Sequence, residues 1–98
     1  MKTIKVKVMD TSKVIFSGDV DRVSSYNEVG PFDVYPMHAN FISIIKKHMT
    51  FYSRKKKVFD LPFSQAVMKV KQDSITIFLG IEELVVEEEK LSTQVLKI

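Results

Sequence analysis

A single all-β domain is what this sequence predicts, on three observations. Apolar residues recur at every second position through most of the chain, the period of a half-buried strand. Short clusters of Asp, Asn, Ser, Gly, Pro or Lys interrupt those runs, as hairpin connections do. The 98 residues suit one domain, and a chain of that size buries roughly 60–70% of its unfolded surface, enough for a small core without staples.

Taken in order, Ile4, Val6 and Val8 face one way and Lys5 and Lys7 the other, which gives a first strand. Asp10-Thr11-Ser12 turns the chain into a second, 14–17, which Phe16-Ser17-Gly18 is expected to close as a turn continued by Asp19. A third strand over 20–26 leads through a turn at 27–31 to a fourth over 32–35. Phe41, Ile42, Ile44 and Ile45 form an apolar block that suits core and interface equally. Segments 49–54 and 58–63 flank a Lys55-Lys56-Lys57 turn. Ala66, Met68 and Val70 alternate with Lys69 and Lys71; after Gln72-Asp73-Ser74, Ile75, Ile77 and Leu79 share a face opposite Thr76 and Phe78. Many short strands at such spacing predict an antiparallel sandwich or barrel. No internal repeat or low-complexity linker divides them. The organisation expected is one β domain over 1–82 and a tail over 83–98. In the tail, Leu84, Leu91, Val95 and Ile98 suit one short amphipathic helix, while Leu84-Val85-Val86 equally suits a closing strand.

Composition narrows the function classes. Cysteine is absent, which removes disulfides and thiolate metal sites and suits a reducing compartment. The alternating start of the chain is no uninterrupted apolar leader, and no stretch approaches the ~20 apolar residues of a membrane span. A net charge of +3 permits attraction to an anionic surface without demanding it. His38 and His48 lie ten residues apart without metal-type spacing or a neighbouring nucleophile, so neither catalysis nor metal binding is expected. Glu82-Glu83 and Glu87-Glu88-Glu89 lack the glycine turn and Asp-x-Asp spacing of a calcium loop and suit a solvated helix face. Arg54-Lys55-Lys56-Lys57 between Phe51, Tyr52 and Phe59 could form a stacking platform for nucleic acid or attract anionic headgroups; a solvated hairpin tip is the plainer reading.

Two motifs carry more. Phe16-Ser17-Gly18 is followed, after an acidic glycine-containing loop, by Gly30-Pro31-Phe32-Asp33-Val34-Tyr35-Pro36 and Met37-His38-Ala39-Asn40. Their sequence and separation resemble the N-terminal domain of the ε subunit of F-type ATP synthases. That family has an F-S-G element and then Y/L-P-G-H-A-P. The strand Ala66-Val67-Met68-Lys69-Val70 falls at the family's G-G-hydrophobic-E-V strand, and Ile75-Thr76-Ile77-Phe78-Leu79 at its V-T-V-L strand, so the resemblance runs from about Lys5 to Gly80. It implies a flattened ten-stranded antiparallel β-sandwich. It also implies a non-catalytic central-stalk rotor subunit that binds γ and the c-subunit ring, couples proton or sodium flow to ATP synthesis, and needs no cofactor. On the same grounds Asp10, His38, Phe41, Ile42 and Ser43 are expected toward γ, and Glu28, Val29, Gly30, Pro31 and Phe32 toward the c ring. The location implied is the cytoplasmic face of a bacterial plasma membrane, reached only through the complex, with no nucleic-acid partner. The rival is a stand-alone β-sandwich module using the basic tip for RNA or anionic membrane.

The departures from the family pattern also generate expectations. Asp33, Met37, Gln65 and Ala66 stand where the family has glycine, Asn40 replaces the second proline of P-G-H-A-P, and Pro31 replaces an acidic residue. A methionine at positive φ is strained by roughly 1–2 kcal/mol. The turn at 36–39 is therefore expected to be rebuilt, or to have no need of the left-handed conformation. Fifteen residues after Glu83 leave no room for the family's two-helix C-terminal domain, so inhibition or ATP binding by that domain is not expected of them.

Overall fold

The alternation at the start of the chain becomes β1 (Ile4–Asp10), with Ile4, Val6 and Val8 buried and Lys5 and Lys7 exposed. Six further strands follow in the computed structural model, which describes residues 2–37 and 40–80: β2 (Lys13–Val20), β3 (Arg22–Asn27), β4 (Gly30–Val34), β5 (Phe41–Ser53), β6 (Lys56–Lys71) and β7 (Ser74–Leu79). They form one hydrogen-bonded sheet in the order β2-β1-β7-β6-β5-β3-β4. Each neighbouring pair is antiparallel except β1 with β7, which is parallel. The tail 83–98, with its two alternatives, and His38 lie outside the described residues.

The all-β class is as expected, but the described residues form seven strands, not ten. Two strands of that difference lie in β5 and β6, 13 and 16 residues long, which join segments that the sequence suggested were separate. Lys47 takes a left-handed φ of 76°, and Ser64 is an extra residue between the pairs Lys46↔Gln65 and Lys47↔Phe63. A bulge of this kind bends the strand and raises its twist. The sheet therefore folds onto itself. Phe16 on edge strand β2 meets Phe51 of β5 and Phe59 of β6 at ring-centroid distances of 5.0 and 4.8 Å, although two or three strands separate them in the hydrogen-bonding order. One layer is β2-β1-β7 with the halves of β6 and β5 around Ala66–Val70 and Phe41–Ile45; the other is β4-β3 with the remaining halves.

Between the layers lies one core: Ile4, Val6, Val8, Val20, Val23, Val34, Ile45, Met49, Phe51, Ala66, Met68, Val70, Ile75, Ile77 and Leu79. Full burial of a side chain of the Val, Ile, Leu, Met or Phe kind contributes about 1.5–3 kcal/mol, so these rows hold the fold. Phe16, Phe32, Phe41, Phe59, Leu61 and Phe63 pack against them from the rim.

Two turn expectations need correction. Phe16-Ser17-Gly18 does not close a strand; all three lie inside β2, with Gly18 opposite Val6 and the reversal falling beyond Val20. A Cβ at Gly18 would meet the Phe16 ring at 3.4 Å, an ordinary van der Waals contact, so neither a turn nor close packing requires glycine there. The turn after Pro36 has not escaped the left-handed conformation either: Met37 adopts φ 64°. Its N–H donates to Asp73 Oδ1 at 2.7 Å, and the Gln72 N–H donates to Asn40 Oδ1 at 2.7 Å. These bonds tie the β4–β5 connection to the β6–β7 turn and hold the strained residue in place.

Candidate functional site

The outer face of the first layer carries an apolar row that crosses five strands. Val14 pairs with Met9, Met9 with Phe78, Phe78 with Val67, and Val67 with Ile44. Because side chains alternate across a strand, Met9, Phe78, Val67 and Ile44 point away from the core when Val8, Ile77, Met68 and Ile45 point into it, and the bulge at Ile15 turns Val14 to the same side as its partner Met9. Five strands at ~4.8 Å spacing make this row about 19 Å long. Val14 and Ile44 are 46% and 47% exposed, and Ile42, two residues along β5, is 69% exposed. The next rows are basic: Lys7 and Lys69 lie in register with Ile42 through Thr76, and Lys5 and Lys71 lie beside Ser74.

The second layer's outer face is different. Ser24 donates to Asp33 Oδ1, Thr50 donates to Asp60 Oδ1 at 2.8 Å, and Lys57 pairs with Asp60 at 3.8 Å. These polar groups satisfy one another, while Arg22, paired with Tyr52 at the end of β5, keeps a shielded Nε without a hydrogen-bond partner. Its one large exposed apolar residue on the paired strands is Val58, next to the β5–β6 turn.

The residues singled out from sequence fall in three places. Ile42 lies on the apolar outer face. Phe41 and Ser43, on either side of it, turn the other way, toward the β3–β4 hairpin: Phe41 meets the Phe32 ring at 6.4 Å, and Asn27 Nδ2 donates to Ser43 Oγ at 3.3 Å. Asp10 ends β1, opposite Leu79 of β7, three rows from the Ile42 row. His38 lies outside the described residues.

The β3–β4 turn holds the other set. Asn27 pairs with Gly30, leaving Glu28 and Val29 as the two-residue loop. The Val29 and Gly30 N–H groups donate to Asn27 Oδ1 at 2.9 and 3.3 Å, an Asx-type turn that fixes the loop from its own side chain. Val29 at its tip is 96% exposed. Pro31 sits on edge strand β4, where a missing N–H does least harm to the ladder. Phe32 faces Phe41, so this loop is anchored on the segment that leads into the apolar face.

Sequence reasoning put Phe78 on the face opposite Ile75, Ile77 and Leu79 but did not single out Met9, Val14 or Val67. For Met9, Val67 and Phe78 the signal was present, since each occupies the phase opposite the core residues of its strand; Val14 shares the phase of Phe16 and Val20 and faces outward only because Ile15 is an extra residue in β2. Only the register of five strands, which no local pattern fixes, shows that they line up. Among the described residues no group of three His, Cys, Asp or Glu side chains could hold a metal ion. His48 sits edge-on to Tyr26 at 5.1 Å.

Comparison with known proteins agrees with this architecture. Residues 3–81 match the family described as ATP synthase, Delta/Epsilon chain, beta-sandwich domain. The chain is 31% identical over 78 residues to an ATP synthase epsilon chain of Ruthia magnifica subsp. Calyptogena magnifica, covering 80% of this chain and 56% of that one. It is 28% identical over 80 residues to the ATP synthase epsilon chain of Geobacter metallireducens, covering 82% and 58%. It therefore spans rather more than half the length of these relatives. Among solved structures, it resembles a chain in the Euglena gracilis mitochondrial ATP synthase, OSCP/F1/c-ring, with TM-score 0.73 and 13% identity over 82% of this chain and 52% of that one. It also resembles a chain in the central stalk/c-ring structure of the Tetrahymena thermophila mitochondrial ATP synthase, with TM-score 0.64 and 10% identity over 80% and 65%. At those identities the structures speak to the fold. The match to residues 3–81 covers most of the chain, which belongs to the ATP synthase delta/epsilon β-sandwich family.

Proposed function

We propose that this chain is the ε-type component of an F-type ATP synthase central stalk, acting through interfaces and not through bond chemistry. The observation that carries this reading is the apolar row Val14–Met9–Phe78–Val67–Ile44 with Ile42 beside it, on one face of a domain whose other face is mainly polar. An apolar row about 19 Å long with a basic margin suits a protein–protein contact of ordinary size, about 800 Å² per partner. The partner proposed for it is γ, with Ile42 on that face and Phe41 and Ser43 supporting it from within; Asp10, in register with the buried Leu79 and so opposite in phase to Met9, would meet γ only from the end of β1. The partner proposed for the β3–β4 tip, Glu28 to Phe32, is the c ring. On this reading the domain turns with γ and the ring, couples proton or sodium flow to ATP synthesis, and meets the cytoplasmic side of the membrane only through the complex.

The absence of cysteine from the 98 residues makes the test direct. Single cysteines at Ile44, Val29 and Val58, each carrying a photo-activated cross-linker, are introduced into the chain assembled with its cognate complex. The expected products are γ from Ile44→Cys, c subunit from Val29→Cys, and neither from Val58→Cys. Cross-linking of Val58→Cys to γ with none from Ile44→Cys would put the docking face on the wrong layer.

A further inference from the structure

We propose that the β5–β6 hairpin tip is a binding pocket for a small phosphate-bearing anion, built by Arg22, Arg54 and Lys55 around Tyr35 and Tyr52. The groove there has a volume of about 410 Å³ and is lined by these five residues and Asp21, within the range of small-molecule sites. Three strands bring the parts together: Arg22 opens β3 and pairs with Tyr52 near the end of β5, Tyr35 follows β4 beside it, and Arg54-Lys55 forms the turn between Ser53 and Lys56.

Strain is the first argument. Both turn residues have positive φ, 53° at Arg54 and 65° at Lys55, as a two-residue type I′ hairpin requires. Asn-Gly is the pair that such a turn favours. A long cationic side chain in the left-handed region is disfavoured, and strained backbone concentrates at functional sites.

Charge is the second. The carboxylate nearest the turn is committed to it: the Arg54 N–H donates to Asp21 Oδ2 at 2.7 Å. Asp33 accepts from Ser24. Among the described residues Lys57 pairs with Asp60, whereas Arg22, Arg54 and Lys55 form no side-chain ion pair. Three cations against the one carboxylate that lines the groove, Asp21, leave it net positive, as charge-assisted hydrogen bonds to phosphate require.

Preorganisation is the third. The Arg22 guanidinium lies 3.8 Å from the centroid of the Tyr52 ring, its Nε shielded from solvent without a hydrogen-bond partner. A hydrogen bond with Tyr35, ahead of the nearby Asp33 charge, holds its pKa above the ordinary arginine value despite partial desolvation. The arginine is thus fixed and permanently charged, which lowers the entropy lost on binding an anion. Tyr35 is 51% exposed and leaves a ring face on which a planar group can stack. The pocket lies at the opposite end of the β3–β4 hairpin from the Val29 tip, about 17 Å away at ~3.3 Å per residue. It is separate from both proposed docking surfaces.

The test is a heteronuclear NMR titration of the full chain with pyrophosphate and with ADP, read at the backbone amides of residues 22, 35, 52, 54 and 55. Saturable shifts confined to those residues are expected, with ADP the tighter ligand through its ring, and binding weakening as salt rises. The deciding variant is Arg54→Asn with Lys55→Gly. It should raise the melting temperature by relaxing the turn and weaken anion binding by at least about tenfold. The pair Lys5→Gln and Lys7→Gln, on the other face, should leave the shifts unchanged. Shifts spread over all lysines, no saturation, or binding retained in the Asn-Gly variant would overturn the proposal. So would a short RNA binding far more tightly than ADP, which would make the tip a nucleic-acid contact. Loss of γ cross-linking leaves this proposal intact, since the readouts use different residues.

Discussion

Met37 and Asn40 show how single residues are accommodated in the turn after β4. Asp73 accepts the Met37 N–H, and Asn40 accepts an N–H that proline in its place could not reach. The left-handed conformation survives at Met37 because it is anchored from outside. Met37→Gly should raise stability by about 0.5–1 kcal/mol, the strain relieved less the entropy of the added glycine. Asp73→Ala should lower it by roughly 1–2 kcal/mol by releasing a bonded N–H. Urea denaturation with an unchanged m-value checks both. Equal, unmeasurable effects would mean that Asp73 does not stabilise the turn. The sequence displayed the loss of glycine at this turn but not the compensation, because Asp73 lies 36 residues away and hydrogen bonds at that range have no local signature.

At the scale of elements, the informative feature is the phase of alternation in β6. Phe59, Leu61 and Phe63 pack on the core at odd positions, and Ala66, Met68 and Val70 at even ones. Ser64, exposed and unpaired in the register, is the residue that changes phase. Without it one half of the strand would present its apolar set to solvent, since a shift of one residue exchanges the faces. Deletion of Ser64 should therefore abolish cooperative unfolding, whereas Ser64→Ala should change stability by less than about 0.5 kcal/mol. A deletion variant that melts like the parent would refute the two-layer role of β6. The phase switch was visible in the sequence and suggested two strands. A bulge and a turn both interrupt a period of two, and only the pairing of β5 with β6 across the break tells them apart. Phe16 belongs to the same scale: Phe16→Ala should cost about 2–3 kcal/mol, below the fully buried range because the ring sits at the rim.

At the scale of the whole domain, the two outer faces of the described residues differ in chemistry: one is apolar with a basic margin, and the other is mainly polar, with the Arg22 groove at one end. The strands, the hairpins and most of the core were legible from alternation and turn chemistry. The proposed docking face was only half legible, since Ile42 and Ile44 stood out but Met9, Val14, Val67 and Phe78 needed the register of five strands to become a row. Phe41 and Ser43 turned out to face the β3–β4 hairpin, because neighbours on a strand point to opposite sides. The most direct measurement is co-purification of this chain with the γ subunit of the same organism, comparing the parent with Ile42→Glu plus Ile44→Glu. Both substitutions are on the solvent face and should leave the urea midpoint within about 0.5 kcal/mol of the parent's stability. The account expects the parent to co-elute with γ on gel filtration and the folded double variant to elute alone. A folded variant that still co-elutes with undiminished affinity would contradict it.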